Sequence, residues 1–428
     1  MKKRNTTRRT KFILWAVATT VGAIVSGAVI AENPVTLNLW HGWTGSDNTT
    51  ALNAVINKYN TTNTSGIKIN PTAYDWDTLF SKWTLSAATG GSPDVVMVHG
   101  TEVPEYSQRG QLLQLDDLLK SGNINLKGVP AAALNAAKFE GHQYAVPGDI
   151  HPLGLYYNVD LVKAAGLDPT KPPRNTTQFM NWAQKLTVKD ASGKTTQYAL
   201  NLATSGAGPR WLWFTIMSQY GGTFIGKDGK SDVDSVASKK ALQFLKDLFD
   251  KGYATKGSGT SAADPFASKR AAMDINGPWM VNQHMAQKLN FATAPVPQFG
   301  PKRAVWANTH MLGIPKQRDE KNYAADLKFI GWFFNNYALP ATTVGIIPVS
   351  PAAQKSEEFT GSKQYPYYKA FLSELPYAVF EPSVASYTRI FSFAKPTPLT
   401  TNIEAIISGS KTVEQAAQDM KKGIDEQL

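Results

Sequence analysis

The sequence predicts an α/β protein built on a mainly parallel, doubly wound sheet and divided into two lobes of similar size. Strand and helix signals alternate through the first hundred residues in the order βαβαβ, which sets parallel strands side by side. Roughly 400 residues follow an apolar leader, more than one hydrophobic core accommodates. A second series of strand and helix signals begins beyond an extended, Pro-containing stretch at 139–158, where the chain would pass between lobes.

The leader comes first. Lys2, Lys3, Arg4, Arg8, Arg9 and Lys11 precede an apolar run over 12–30 and then Ala31. A basic start, an apolar middle and small residues at Val29 and Ala31 form the three-part pattern of an export signal. Residues 1–31 are therefore assigned to a cleaved signal peptide. The run approaches the length of a membrane span, but Gly22, Ser26 and Gly27 dilute it, which favours cleavage over anchoring. Arg8-Arg9 also fits a twin-arginine route, although Phe12 falls one position later than that signal prefers.

Six of the 44 basic residues and none of the 33 acidic ones lie in the leader, so much of the net charge of +11 is an export label. No Lys/Arg block with interleaved aromatics follows it, which excludes a nucleic-acid partner. With no cysteine there are no disulfides, thiolate metal ligands, cysteine nucleophile or lipid-bearing cysteine.

VTLNLW (35–40) alternates apolar β-formers, and a helical period runs from Thr50 to Tyr59. IKINPTAY (67–74) is the next strand, TLFSKWTLSAATGG a helix stopped by Gly90-Gly91, and SPDVVMVH (92–99) a buried strand after a Pro-Asp turn. LGLYYN and QYALNLA (197–203) are strands of the second series. TSGAGPR (204–210) opens a helix at Trp211, and residues 235–250 form an amphipathic helix ending at Gly252. FASKRAAMDINGPW (266–279) predicts a short strand, a Gly-Pro stop and the start of a helix, with Trp279 at the corner and unpaired backbone N–H groups nearby.

In an open α/β sheet, ligands gather at the loops beyond the carboxyl ends of strands. Those loops carry His41, Trp43, Tyr74, Asp75, Trp76, His99 and Glu102, and Trp279 and Trp211 hold comparable positions later in the chain. Asp149 and His151 share one face of an extended segment flanked by Gly148 and Pro152. There, polar groups need a cleft or water. An unperturbed His151 would titrate near neutrality. Trp306 and Arg389 complete the candidate set, and His310 fits either a site or a structural role. Trp182 and Trp332 lie on apolar helical stripes and read as core, and Asp94 reads as a turn cap. The histidines lack metal-ligand spacing, so no metal and no other cofactor is expected.

Seven stretches, in order, resemble the carbohydrate-binding family of extracellular solute-binding proteins of ABC importers, the family that includes maltose-binding protein. They are GGSPDVV (90–96), QRGQLLQLD (108–116), HQYAVPGDIHPLGLYYNVDL (142–161), AAGLDPTKPP (164–173), AAMDINGPW (271–279), APVPQFG (294–300) and IIPVS (346–350). The resemblance implies the type II periplasmic-binding-protein fold, two α/β lobes joined by three hinge crossings near 149–152, 294–300 and 338–345. It divides the mature chain into a first lobe of 32–149 and 295–340 and a second of 150–294 and 341–428.

What the resemblance implies for function is capture of a mono- or oligosaccharide between the lobes, without covalent chemistry, and delivery to the membrane subunits of an importer by a monomeric protein. That protein would be free in the periplasm or outside the cell. Trp279 matches the family's stacking Trp and Trp211 a second aromatic. His151 stands where the maltose type has a carboxylate, and His99 to Glu102 replace a Trp, Asp and Arg set, so the sugar should differ from maltodextrin. Sugar faces need flat aromatics, and hydroxyls need charge-assisted hydrogen bonds. Two other readings compete: a binding protein for a polyol phosphate such as glycerol-3-phosphate, which requires cations at Arg210 and Arg389, and an exported glycoside-active enzyme using Asp149 and Glu102 as its carboxylate pair.

Overall fold

The computed structural model describes residues 35–255, 264–316, 321–392 and 396–428. The expected leader and its cleavage after Ala31 lie outside the described residues. Among these, no helix is long and apolar enough to cross a membrane.

Two five-stranded sheets account for the two lobes. The first runs Ile67–Ala73, Val35–His41, Val95–His99, His310–Gly313, Ala145–Pro147. Its first two pairings are parallel, as the βαβαβ order requires, and its last two are antiparallel. The second runs Phe291–Ala294, Gly154–Asn158, Ala271–Asn276, Thr195–Asn201, Val188–Lys189, with Ala271–Asn276 and Thr195–Asn201 parallel. The antiparallel partners His310–Gly313 and Gly154–Asn158 belong to segments that have just crossed between lobes and enter their sheets in the reverse sense.

Apolar residues on alternate strand positions and on one helix face fill each lobe. Leu37, Leu39, Val95, Met97, Leu312 and Phe329 lie in the first core, and Leu155, Leu200, Met273, Leu245 and Leu248 in the second. The helix Val236–Asp250 shows the logic. Ser235 caps it by accepting from the Ser238 N–H, and its buried residues Ala241, Leu242, Leu245, Leu248 and Phe249 form one stripe. Trp182 is core, edge-on to Tyr157, and Asp94 accepts from the Asn38 N–H and the Asn322 side chain.

A third sheet joins the lobes, in the order Ile347–Pro348, Asp149–Pro152, Val305–Asn308, Ala378–Val379. The strand Asp149–Pro152 leads from Ala145–Pro147 of the first sheet to Gly154–Asn158 of the second. The return lies later than the 294–300 expected from sequence. Val296 and Phe299 bond through their N–H groups to Glu374 and Gln219 in second-lobe surroundings, and Val305–Asn308 is the strand that pairs with Asp149–Pro152. Proline content marked 294–300 as extended, and extended backbone also suits an edge strand and its exit loop. The turn Ala341–Gly345 packs on Ser46–Thr62 of the first lobe and Met280–Ala286 of the second.

Candidate ligand-binding site

The crossing strand supplies the centre of the site. Asp149 and His151, two residues apart on one side of Asp149–Pro152, are joined by a 2.7 Å bond between Asp149 Oδ1 and His151 Nδ1. His310 starts the first-lobe strand His310–Gly313, and its Nδ1 lies 2.8 Å from Asp149 Oδ2. The His310 N–H and the Tyr337 hydroxyl also donate to Asp149, at 3.1 and 2.7 Å. Four donors therefore meet one fully buried carboxylate. Burial pushes Asp149 up, but the adjoining His310 and His151 rings outweigh it and hold the carboxyl well below the usual range. An ionised carboxylate only accepts, so both imidazoles present Nδ1–H to it. In a neutral imidazole so placed Nε2 is the acceptor, and neither Nε2 has a hydrogen-bond partner among the described residues.

Burial also moves His151 down to about 4, away from the neutral range expected from sequence, so it is an uncharged acceptor at physiological pH. His99 lies directly across the strand pair from His310. Burial and the neighbouring His310 hold it well below its ordinary value, while burial lifts Glu102 well above its own, and the two side chains are in contact at 3.3 Å. Glu102 is further bonded to Thr101, which accepts from Asn308 on the return strand Val305–Asn308.

Aromatic walls stand on both sides. From the first lobe, Trp76 lies 4.0 Å from His99 between ring centroids and stacks on His310 at 5.5 Å and 14°. Trp43 meets His310 edge-on at 5.3 Å. The loop places Trp76 because Asp75 caps the helix Trp76–Thr89 and because Gly42 leaves room, a Cβ there falling 2.2 Å from the indole. From the second lobe, Trp279 is edge-on to His151 at 5.6 Å, with Trp211 5.7 Å from Trp279 and stacked at 4.5 Å on Trp306. Trp279 follows the strand Ala271–Asn276, and its ring folds over Gly277, where a Cβ would lie 1.8 Å from it. The indole N–H groups of Trp43 and Trp211 are buried without a protein acceptor. Such donors are costly unless a ligand takes the bond.

Residues 43–338, most of the chain, match the family of bacterial extracellular solute-binding proteins. The chain belongs to that family. The maltodextrin-binding protein MdxE of Bacillus subtilis is 23% identical over 356 residues, 80% of this chain and 79% of that protein. Among solved structures, the ABC substrate-binding protein Lmo0181 from Listeria monocytogenes in complex with cycloalternan aligns with a TM-score of 0.78 at 19% identity, covering 92% of this chain and 99% of that one. CpMnBP1 with mannobiose bound gives 0.77 at 23%, covering 92% and 100%. The fold is that of the type II periplasmic binding proteins. Members of the family are binding proteins rather than enzymes.

Of the residues singled out from sequence in this solute-binding protein, the structure gathers Trp43, His99, Glu102, Asp149, His151, Trp211, Trp279 and Trp306 around one centre. Tyr74 stands behind it, edge-on to Trp40 at 5.3 Å with the Lys82 ammonium 5.2 Å from its ring. Arg389 is not brought in. It is exposed at the far end of the helix Tyr387–Ile390, with a guanidinium nitrogen 3.4 Å from the Gln427 carbonyl, because the buried positions of that short helix go to Tyr387 and Ile390. The N–H groups after Trp279 are also spoken for, since Met280 and Val281 donate to the Gly277 and Pro278 carbonyls. Asp149, His151 and His310 form a three-group cluster in space although the histidines lack metal-ligand spacing in the sequence. The sequence leaves His310 open and does not mark Tyr337, for both reach the site through pairings distant in the chain.

Arg210 supports the second wall from behind. It is fully buried, 3.0 Å from Glu381, and donates to the Phe391 and Ser392 carbonyls, while the Tyr387 hydroxyl donates to Glu381 at 2.6 Å. This anchors residues 381–392, which reach across to the first lobe. Thr388 donates from its N–H and its hydroxyl to Glu105, both at 2.9 Å, and the Ser392 hydroxyl donates to Asp77 at 3.0 Å.

Proposed function

We propose that this protein captures a neutral mono- or oligosaccharide between its lobes and delivers it to the membrane subunits of an ABC importer. The observation that carries the proposal is the facing of two tryptophan walls, one from each lobe, across imidazoles whose tautomers Asp149 fixes. Indole faces suit the apolar C–H faces of a pyranose, the free N–H of Trp43 and Trp211 suit hydroxyl oxygens, and the imidazole Nε2 atoms accept from hydroxyl protons. The names of the relatives support the sugar class. In this reading the first lobe comprises residues 32–149 and 309–340, the second residues 150–308 and 341–428, and the mature monomer acts outside the cytoplasm after loss of residues 1–31.

The same geometry disfavours the two rivals. A phosphate would meet a buried carboxylate and two acceptor nitrogens, with Arg210 committed to Glu381 and Arg389 far away. A glycoside-cleaving pair needs two carboxyl groups free to face one bond. Here both Asp149 oxygens are saturated by histidine and tyrosine donors, and Glu102 is engaged by His99 and Thr101.

The test is a thermal-shift and calorimetric screen of residues 32–428 against mono-, di- and oligosaccharides and polyol phosphates, with mass spectrometry of each mixture. A ligand that binds only the native state raises the midpoint by mass action. A sugar that shifts the midpoint and is recovered intact is the expected result. A response confined to polyol phosphates, or cleaved sugar, overturns the proposal.

A further inference from the structure

Among the described residues, three ligand-type side chains converge where the crossing strand Asp149–Pro152 meets the first sheet. Asp149, His151 and His310 each offer an atom within 4.8 Å of the other two, and all three are buried. Two imidazoles and one carboxylate arranged around a point are a donor set that divalent transition-metal ions accept. We propose that Asp149, His151 and His310 form a binding site for a divalent transition-metal ion of the zinc class.

The fold presents the donors ready-made. Asp149 and His151 come from one strand at a spacing of two, and His310 from the strand that follows the return crossing, so the three lie at the seam between the lobes. Both Nδ1 atoms point at Asp149, one at each oxygen. An outer shell is in place as well, because the Tyr337 hydroxyl and the His310 N–H orient the carboxylate, as the outer partners of metal-binding carboxylates do. Zinc bonds of about 2.0–2.2 Å to N and O need the donors farther apart than the 2.7 and 2.8 Å hydrogen bonds they make now, so binding breaks both bonds to Asp149 and turns the three donors onto one point.

To bind the ion each imidazole must free its Nδ1 lone pair, which a neutral ring does by moving its proton to Nε2, and the carboxylate is already ionised. This tautomer change turns two acceptors into two donors. Resting on the sugar reading above, it follows that the ion and the sugar compete for these rings, whereas the site itself stands whatever the ligand is.

The experiment is calorimetric titration of zinc chloride alone into the chelator-stripped mature protein, with cobalt(II) absorption spectra to report inner-sphere coordination. His151→Gln and His310→Gln are compared with wild type, thermal melts checking that each is folded. His142→Gln is the control, since His142 and Asp116 form an exposed pair 3.4 Å apart elsewhere on the molecule. The expected result is saturable binding of one ion per chain, retained in His142→Gln and weakened more than the ~10–100-fold that loss of an outer partner costs in either site variant. Absence of binding at millimolar zinc, retention in both site variants, or loss only in His142→Gln overturns the proposal. A sugar from the screen added to the zinc-loaded protein then tests the competition separately. Zinc binding without any sugar binding leaves the metal site standing and removes the transport reading.

Discussion

The Thr388–Glu105 contact makes closure of the lobes measurable without touching the ligand centre. Glu105, on the first-lobe helix Val103–Gln108, receives two 2.9 Å bonds from Thr388 of the second lobe and keeps an ion pair with Arg109 at 2.6 Å. If the lobes part when empty, Glu105 regains water and retains Arg109, so each cross-lobe bond contributes only its net worth, about 0.5–1.5 kcal/mol. Removing both with Glu105→Ala should raise the open-to-closed free energy by about 1–3 kcal/mol, which weakens sugar binding by roughly 5- to 150-fold. Thr388→Val removes only the hydroxyl bond and should weaken it about 2- to 13-fold. The double variant should bind no worse than Glu105→Ala, because the hydroxyl then has no partner to lose. Calorimetry with the sugar identified in the screen gives the affinities, and small-angle scattering of empty and loaded protein gives the lobe separation. Affinity in Glu105→Ala within twofold of wild type, with unchanged scattering, would refute the idea that this contact belongs to the closed state alone.

Trp279→Ala should weaken sugar binding by about 2 kcal/mol, roughly 30-fold, with little change in melting temperature because the ring is only half-buried. Gly277→Ala should weaken binding in the same direction while keeping every tryptophan, since the new Cβ would fall 1.8–2.2 Å from ring atoms of Trp279 and displace it; tryptophan fluorescence and calorimetry together check this. Asp326 is buried, and burial followed by the charge of Asp94 holds its carboxyl up at about 8. The folded chain thus keeps a proton that the unfolded chain releases near 3.9, and the stability this represents is full below about 4 and lost as pH rises towards 8. Relative to Asp326→Asn, the wild type should lose about 3 kcal/mol between pH 5 and 7.5, measured by urea unfolding. Parallel curves would show that Asp326 is ionised in the fold.

Local patterns carried most of the architecture. The alternation in Val35–His41, the Pro-Asp turn before Val95–His99 and the Gly-Pro stop after Ala271–Asn276 each encode an element in adjacent residues, and the structure contains all three. Trp279 and Trp211 each mark a loop-to-helix transition in the sequence, and the structure places both rings beside the candidate centre. The return crossing was misplaced because proline and extended backbone identify a segment without saying which sheet it joins. His310 shows the limit most clearly. Its partner Asp149 is 161 residues away and its cross-strand neighbour His99 is 211 away, and only the topology of the first sheet brings them together. Arg389 erred in the opposite sense, for its neighbours Tyr387 and Ile390 take the buried side of a one-turn helix and leave it to solvent.

The placement of Asp149 links recognition to the hinge in a way neither feature shows alone. Its four bonds join the crossing strand to His310 of the first sheet and to Tyr337, which precedes the Ala341–Gly345 turn touching both lobes. The same four bonds fix which imidazole nitrogens can accept from a ligand. A small rotation of the crossing strand would therefore change the geometry at His151 and His310 together, and a ligand held by both rings would resist that rotation. The buried ionised carboxylate would be expensive without its donors. The hinge sheet and the ligand centre are thus stabilised by one residue, and a substrate that bonds both imidazoles favours the lobe arrangement in which Thr388 reaches Glu105.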